Sequence, residues 1–245
     1  HFQFFKEIKL MKPLWHALIA VLLVASVAYG VDTSERQKQE DRLKNSGQVM
    51  DEILKMPDTI PQDILNRTKC VVVVPSVLKA AFVVGGSYGR GAMVCRGGKT
   101  FTGPWGAPSM VALEGASVGF QIGGQATDFV FLIMNDRGAS SLLNSKVKLG
   151  ADISAAAGPV GREAEGDTDA YMRAEILTYS RARGLFAGVS LEGSTLRPDN
   201  DANESLYGRK IGAKDIVFGP SPATPASAQQ LISLLEKASP RGHAA

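Results

Sequence analysis

Histidine is nearly missing from this 245-residue chain: His1 and His16 lie near its start and His243 two residues from its end. A serine nucleophile needs a general base, most often histidine. Two stretches fit the G-x-S-x-G nucleophile-elbow pattern, Gly85 to Gly89 around Ser87 and Gly115 to Gly119 around Ser117. Neither serine is followed by the helix-like segment that an elbow requires. Zinc sites draw on histidine and cysteine, and the chain has only two cysteines. The phosphate-cradling patterns G-x-x-x-x-G-K-[ST] and G-x-G-x-x-G are absent as well. No catalytic constellation is visible, so the expectation is a protein that is not an enzyme and carries no cofactor.

Charge of one sign is also in short supply. Residues 1–30 hold three lysines and one glutamate; without them the totals of 27 basic and 24 acidic residues fall to 24 and 23. A balance that close to neutral lacks the broad positive field of a nucleic-acid binder. Any anionic partner must be met by a local patch. The cysteines, Cys70 and Cys95, sit in strand-like stretches, where they could pair in an oxidising compartment or stay as buried thiols. Spacing leaves both readings open.

Long apolar runs are limited to one place. Met11 reads as the initiator, followed by Lys12, the apolar run Leu14 to Val24, and the small residues Ser26-Val27-Ala28. This order predicts a secretory signal peptide cleaved after Ala28 or Gly30. The alternative is a membrane anchor, for which the run is shorter than the ~20 residues a spanning helix needs. No cysteine follows the run to carry a lipoprotein anchor. The expected location is periplasmic or secreted.

The rest of the chain reads as one α+β domain over 31–219, followed by a proline-rich linker and a C-terminal helix over 220–245. Leu43, Gly47, Met50 and Leu54 recur at helical spacing in a charged segment that Met56-Pro57 ends. From Lys69 the pattern turns to strands: "KCVVVVP", "AAFVVGG", "RGAMVCR", "GASVGFQIGGQ", "TDFVFLIMND", "VKLGADISAAAG", "DAYMRAEILTYS" and "GLFAGVSLEGS". "RGASSLLNS" predicts a short helix, and a helical turn is expected after Pro198. Few helices separate the strands, which argues for a mainly antiparallel sheet. Glycines at 115, 119, 123, 124, 184, 188 and 193 mark bends or close backbone approach. They predict a strongly curled, barrel-like sheet; the bland alternative is loops in place of some strands. At the last helix, Leu231, Leu234 and Leu235 share a face.

Asp199, Asp201 and Asn203 offer oxygen ligands at alternate positions, a weak calcium pattern. An EF-hand loop has glycine at its sixth position, where this chain has Glu204. A solvated turn with a helix cap is the competing reading, as a surface loop is for the acidic run 163–169. Basic residues recur at turns: Lys79, Arg90, Arg96 and Lys99 early, Arg181 and Arg183 late. On a curled sheet both groups could line one rim and contact phosphate head groups; each could equally be an ordinary solvated charge.

The ordered motifs "VVVVPSVLKAAFVVGGSYGRGAMVCR", "GPWGAPSMV", "GFQIGGQATDFVFLIM", "KLGADISAAAGPVG", "YSRARGLFAGVSLEGS" and "ESLYGRKI" resemble the SYLF domain over roughly Met50 to Ile216. The resemblance implies a lipid-binding module: eukaryotic members bind phosphoinositides or phosphatidic acid, and yeast members also bind actin. Bacterial members are exported, and this chain is similar to that type. Membrane binding in eukaryotic members is attributed partly to a basic N-terminal amphipathic segment. The matching stretch here carries Arg36, Lys38, Arg42, Lys44 and Lys55, but also Glu35, Glu40, Asp41, Asp51 and Glu52. That mixture weakens attraction worth ~1 kcal/mol per basic residue at an anionic surface. The expected function is binding of anionic phospholipid at a membrane surface through Lys79, Arg90, Arg96, Lys99, Arg181 and Arg183, with Trp105 as a shallow apolar contact. The alternative is a periplasmic structural or protein-interaction module with a protein partner, actin binding resting on the resemblance alone.

Overall fold

A computed structural model describes residues 33–81, 84–118, 126–161, 171, 173–182, 185–220 and 222–240. The expected signal segment, the glycines at 119, 123, 124 and 184, Arg183 and the acidic run 163–169 lie outside the described residues.

The apolar run after Lys69 becomes the central strand. β1 (Cys70–Ala81) pairs antiparallel with β2 (Val84–Cys95) on one side and β4 (Thr127–Ile133) on the other. Alternation along a strand sends successive side chains to opposite faces, and both faces of β1 are covered. Val71 and Val73 enter one apolar cluster, while Cys70, Val72 and Val74 enter the other. A strand buried on both sides needs no polar alternation, which is why its sequence is a run of valines.

Around it the sheet has nine strands in the order β5-β9-β3-β2-β1-β4-β7-β6, with β8 also pairing β7. The others are β3 (Ser109–Val118), β5 (Val147–Lys148), β6 (Ala155–Ala157), β7 (Ile176–Ala182), β8 (Leu185–Gly188) and β9 (Thr195–Pro198). The sheet is strongly curled into a half-barrel. Every pair is antiparallel except β6 with β7. "VKLGADISAAAG" is therefore not one strand but β5, a turn and β6, and "GLFAGVSLEGS" is strand only as far as Gly188. The turn that follows carries Gly193 at φ 82°, which glycine reaches without steric cost.

The first helix, α1 (33–54), buries Leu43, Met50 and Ile53 on one face of the sheet. On the same side lie α2 (Gln62–Arg67), α4 (Asn200–Tyr207) and α6 (Gln229–Ala238), with Leu206, Leu231 and Leu235 buried. The other face carries α3 (Asp136–Asn144) and α5 (Ala213–Phe218) through Leu142, Leu143 and Ala213. A Cβ on Gly47 of α1 would meet Gln230 at 3.2 Å. The proline-bearing linker thus brings the last helix back onto the first.

Two local features accompany the curl. Pro75 cannot donate to a ladder and is tolerated in a central strand only at a bulge. The registers of β1 with β2 and β4 slip there, between Val73 and Leu78 and between Val74 and Val77. Farther along, Gly188 lies against the backbone of Gly158, whose oxygen would stand 2.0 Å from an added Cβ. The glycine in "LFAG" is space for a crossing chain, not a loosened strand.

Cys70 and Cys95 face each other in register and form a disulfide across β1 and β2. Arg96 N–H donates to the Lys69 carbonyl in the adjacent pair at 2.9 Å. The cysteines therefore occupy a non-hydrogen-bonded position, where facing side chains come closest. Replacing both cysteines with alanine is expected to lower unfolding free energy by about 3 kcal/mol, measured by denaturant titration without reductant.

Candidate functional site

The sequence-predicted rim divides into residues used inside the fold and residues left at its surface. Arg96 belongs to the first group. Its side chain is 0% exposed. Nε donates to the Thr68 carbonyl at 3.1 Å, and Nη2 donates to the Ser239 carbonyl and hydroxyl, each at 2.7 Å. The guanidinium lies 4.2 Å from the centre of the Trp105 ring. Trp105 donates its indole N–H to the same Ser239 carbonyl at 3.0 Å and its backbone N–H to Glu236 at 2.8 Å. Burial pulls the arginine below its usual value, opposed by the Glu236 charge. Arg96 and Trp105 are thus a clasp on the end of α6, and both are corrected here: neither reaches a lipid surface.

Arg181 is spent in the same way. The bulge at Pro75-Ser76 turns the Ser76 N–H away from the ladder, and Asp128 Oδ1 accepts it at 2.8 Å. Arg181 donates from Nε and Nη2 to Asp128 Oδ2 at 3.0 and 2.6 Å, and it also pairs with Glu52 of α1. It holds β7, β4 and α1 around the bulge rather than facing outward. Among the described residues, three basic side chains of α1 are paired with acids of the same helix, Arg36 with Glu40, Lys38 with Glu35 and Lys44 with Asp41, and Lys55 just past its end pairs with Asp51. Arg42 is different.

The weak calcium pattern resolves into helix capping. Asp199 caps α4 by accepting from Ala202 N–H at 3.3 Å, and it is salt-bridged to Arg90 at 2.5 Å. Asn203 is fully buried, its Oδ1 accepting from Met110 N–H at 2.7 Å and its amide donating to Ser109 at 3.2 Å. Asp201 is exposed in the first turn of α4. Among the described residues, no three His, Cys, Asp or Glu side chains gather as a metal site. Asp199 and Asn203 are thus used inside the fold, as the helix-cap reading expects, and Asp201 stands apart at the surface. The two G-x-S-x-G stretches pair with each other in the sheet, Ser87 opposite Gly115 and Ser117 opposite Gly85. A serine within a paired strand does not present the strand-to-helix elbow of a nucleophile.

What remains at the surface is distinct. Lys99 is exposed in the loop between β2 and β3, while Lys79 is placed by register opposite Ser87. At the tip of the β7–β8 hairpin, Leu185 is 77% exposed, the most open of the large apolar side chains described. On the sheet face under α1 stand Tyr88, 50% exposed, and the half-buried Arg90. On α1, burial and then the Arg90 charge lower the affinity of Arg42 for a proton, opposed by Asp199, Tyr88 and Glu35. Among the described residues its side-chain hydrogen bond goes to the neutral Gln39 amide. Leu185, Tyr88 and Arg197 escaped the sequence reading, because exposure and strand register across distant segments leave no local signal.

Residues 114–238 match the family model described as Ysc84, Las17-binding protein actin regulator. Over 182 residues the chain is 42% identical to an SH3 domain-containing protein of Schizosaccharomyces pombe, covering 73% of this chain and 41% of that one. It is 37% identical over 182 residues to the human SH3 domain-containing YSC84-like protein 1, covering 74% and 52%. It is 39% identical over 170 residues to LAS seventeen-binding protein 3 of Saccharomyces cerevisiae, covering 67% and 36%. The chain therefore spans about half the length, or less, of these relatives.

Replacing Arg96 with leucine removes the donors to the Thr68 carbonyl and to the Ser239 carbonyl and hydroxyl, of which the Ser239 carbonyl keeps the Trp105 indole N–H. It is expected to cost about 3 kcal/mol of stability, read as a lowered denaturation midpoint. Ser239→Ala, which keeps the carbonyl contact, costs about 1 kcal/mol.

Proposed function

From the premise that the chain belongs to the Ysc84 family, that of the SYLF domain, we propose that it is a non-catalytic module that adheres to anionic phospholipid at a membrane surface. The observation carrying this reading is Leu185: a leucine held 77% exposed at a sheet end, beside the sequence Arg183-Gly184. A shallow apolar contact suits the boundary between acyl chains and head groups. Lys99 supplies a further exposed cation. Phosphatidic acid or phosphoinositide-like head groups are the lipid chemistry, met by guanidinium and ammonium donors.

Export is part of the same proposal. The Cys70–Cys95 disulfide suits an oxidising compartment, and the sequence ahead of α1 has the order of a secretory signal. Periplasmic or secreted placement follows. Protein binding is the second reading, favoured by relatives named for binding Las17. Whether this chain meets actin or such a partner depends on where it works.

Vesicle co-sedimentation tests the proposal. At low salt the chain is expected to pellet with phosphatidic-acid vesicles and not with neutral ones, and to be released as ionic strength rises. Leu185→Asp is expected to weaken partitioning about tenfold, the order set by burying one leucine side chain. Equal, negligible pelleting with both vesicle types would remove the lipid reading.

A further inference from the structure

A cleft opens where the chain passes from α1 to α2. Pro57, Asp58, Ile60 and Pro61 line it from that connection, Val160 from the stretch after β6, and Phe186 from β8. Its volume is about 840 Å³, within the range of sites for small organic molecules. The connection is tied to the stretch after β6, since the Gly161 N–H donates to the Thr59 carbonyl at 3.0 Å. A Cβ added to Gly161 would stand 2.8 Å from Asp58 Oδ1. The Asp58 carboxylate therefore lies against that stretch.

Phe186 brings an aromatic ring to the cleft. Its ring stacks on Tyr179, with 5.3 Å between centroids and 5° between planes. One face of Phe186 is thereby covered, and the rest of the ring borders the cleft. Tyr179 is fully buried, and its hydroxyl has no hydrogen-bond partner. Its tip lies against Gly158, where an added Cβ would stand 2.4 Å from the hydroxyl oxygen. The stretch 158–161 thus runs from an unsatisfied hydroxyl to an open cleft. Burial, then the negative charge of Asp63, raises this phenol above its ordinary value, so both stacked rings stay neutral.

The acids here have no cation of their own. Asp58 and Asp63 are exposed, and among the described residues neither makes a salt bridge. Lys55 is paired with Asp51, and Arg181, the register partner of Phe186, with Asp128 and Glu52. An aromatic ring beside an uncompensated carboxylate attracts a positive charge through both the ring quadrupole and the ion pair. Apolar walls then take the carbon body of the ligand.

We propose that this cleft binds a small organic ammonium ion, with Phe186 as its π partner, Asp58 as its counter-ion, and Ile60, Pro61 and Val160 holding its apolar body. The site stands apart from the membrane reading above.

2-Phenylethylammonium, 2-phenylethanol and 3-phenylpropanoate share one carbon body and differ in charge. Each is titrated against the full chain by two-dimensional amide NMR. The cation is expected to bind about tenfold more tightly than the alcohol, and the carboxylate most weakly. Shifts are expected at Ile60, Gly161 and Phe186. Asp58→Asn, at an exposed position, is expected to weaken the cation about threefold and leave the alcohol unchanged, as loss of a partly solvated ion pair does. Phe186→Leu keeps apolar volume and removes the ring, and it is expected to weaken the cation about threefold or more. Thermal unfolding identifies whether Phe186→Leu stays folded; Asp58→Asn decides the matter where it does not. Equal affinity for cation and alcohol overturns the proposal, as do shifts confined to other segments or a native chain that binds none of the three. Unchanged cation affinity in Asp58→Asn, or in folded Phe186→Leu, overturns it as well.

Discussion

One buried positive charge ties the segment that enters β1 to the segment that leaves α6. Arg96 has no exposed surface, yet its donors reach the Thr68 carbonyl before β1 and Ser239 after α6. An arginine can be withdrawn from water only where its donors and charge are answered. Here two chain segments 171 residues apart supply the acceptors, and Trp105 covers the guanidinium plane. Cys95 immediately precedes Arg96 and is bonded to Cys70. The covalent and the electrostatic restraint thus act on neighbouring residues of the same strand pair, and α6 is held against α1 above them.

The charges of the molecule consequently fall into two kinds. Arg96 and Arg181 hold structure, the first a chain end, the second a bulge in the central strand. Their positions at turns are what a surface role would also have demanded, so position alone does not separate the two. Burial and partners do. With those residues occupied, the proposed adhesion would fall to groups without such duties, Lys99 and the hairpin tip at Leu185. Along α1, i,i+3 and i,i+4 pairs neutralise each other.

The family motifs and the curl were legible in the sequence for physical reasons. The valine run reports a buried strand, but the sequence reading ends it at Pro75, whereas β1 continues through a bulge to Ala81; the glycine after "LFA" reports close backbone approach, here to Gly158. The spacing of Leu43, Met50, Leu231 and Leu235 reports two helices with one apolar face each. The site was less legible. Arg96 and Trp105 look like surface residues until the loop between β2 and β3 is folded beneath Ser239. Asp199 looks like a ligand until α4 needs a cap. Arg90 and Arg197 become neighbours only through the pairing of β2, β3 and β9, which no local pattern records.

The division of the arginines is most directly tested by hydrogen–deuterium exchange of the chain, alone and on phosphatidic-acid vesicles. The account predicts that the amides of Arg96, Gly106 and Ser239 exchange slowly in both states. New protection would appear around Leu185. Fast exchange at Arg96 and Ser239 in the free chain, with protection gained there on vesicles, would contradict it.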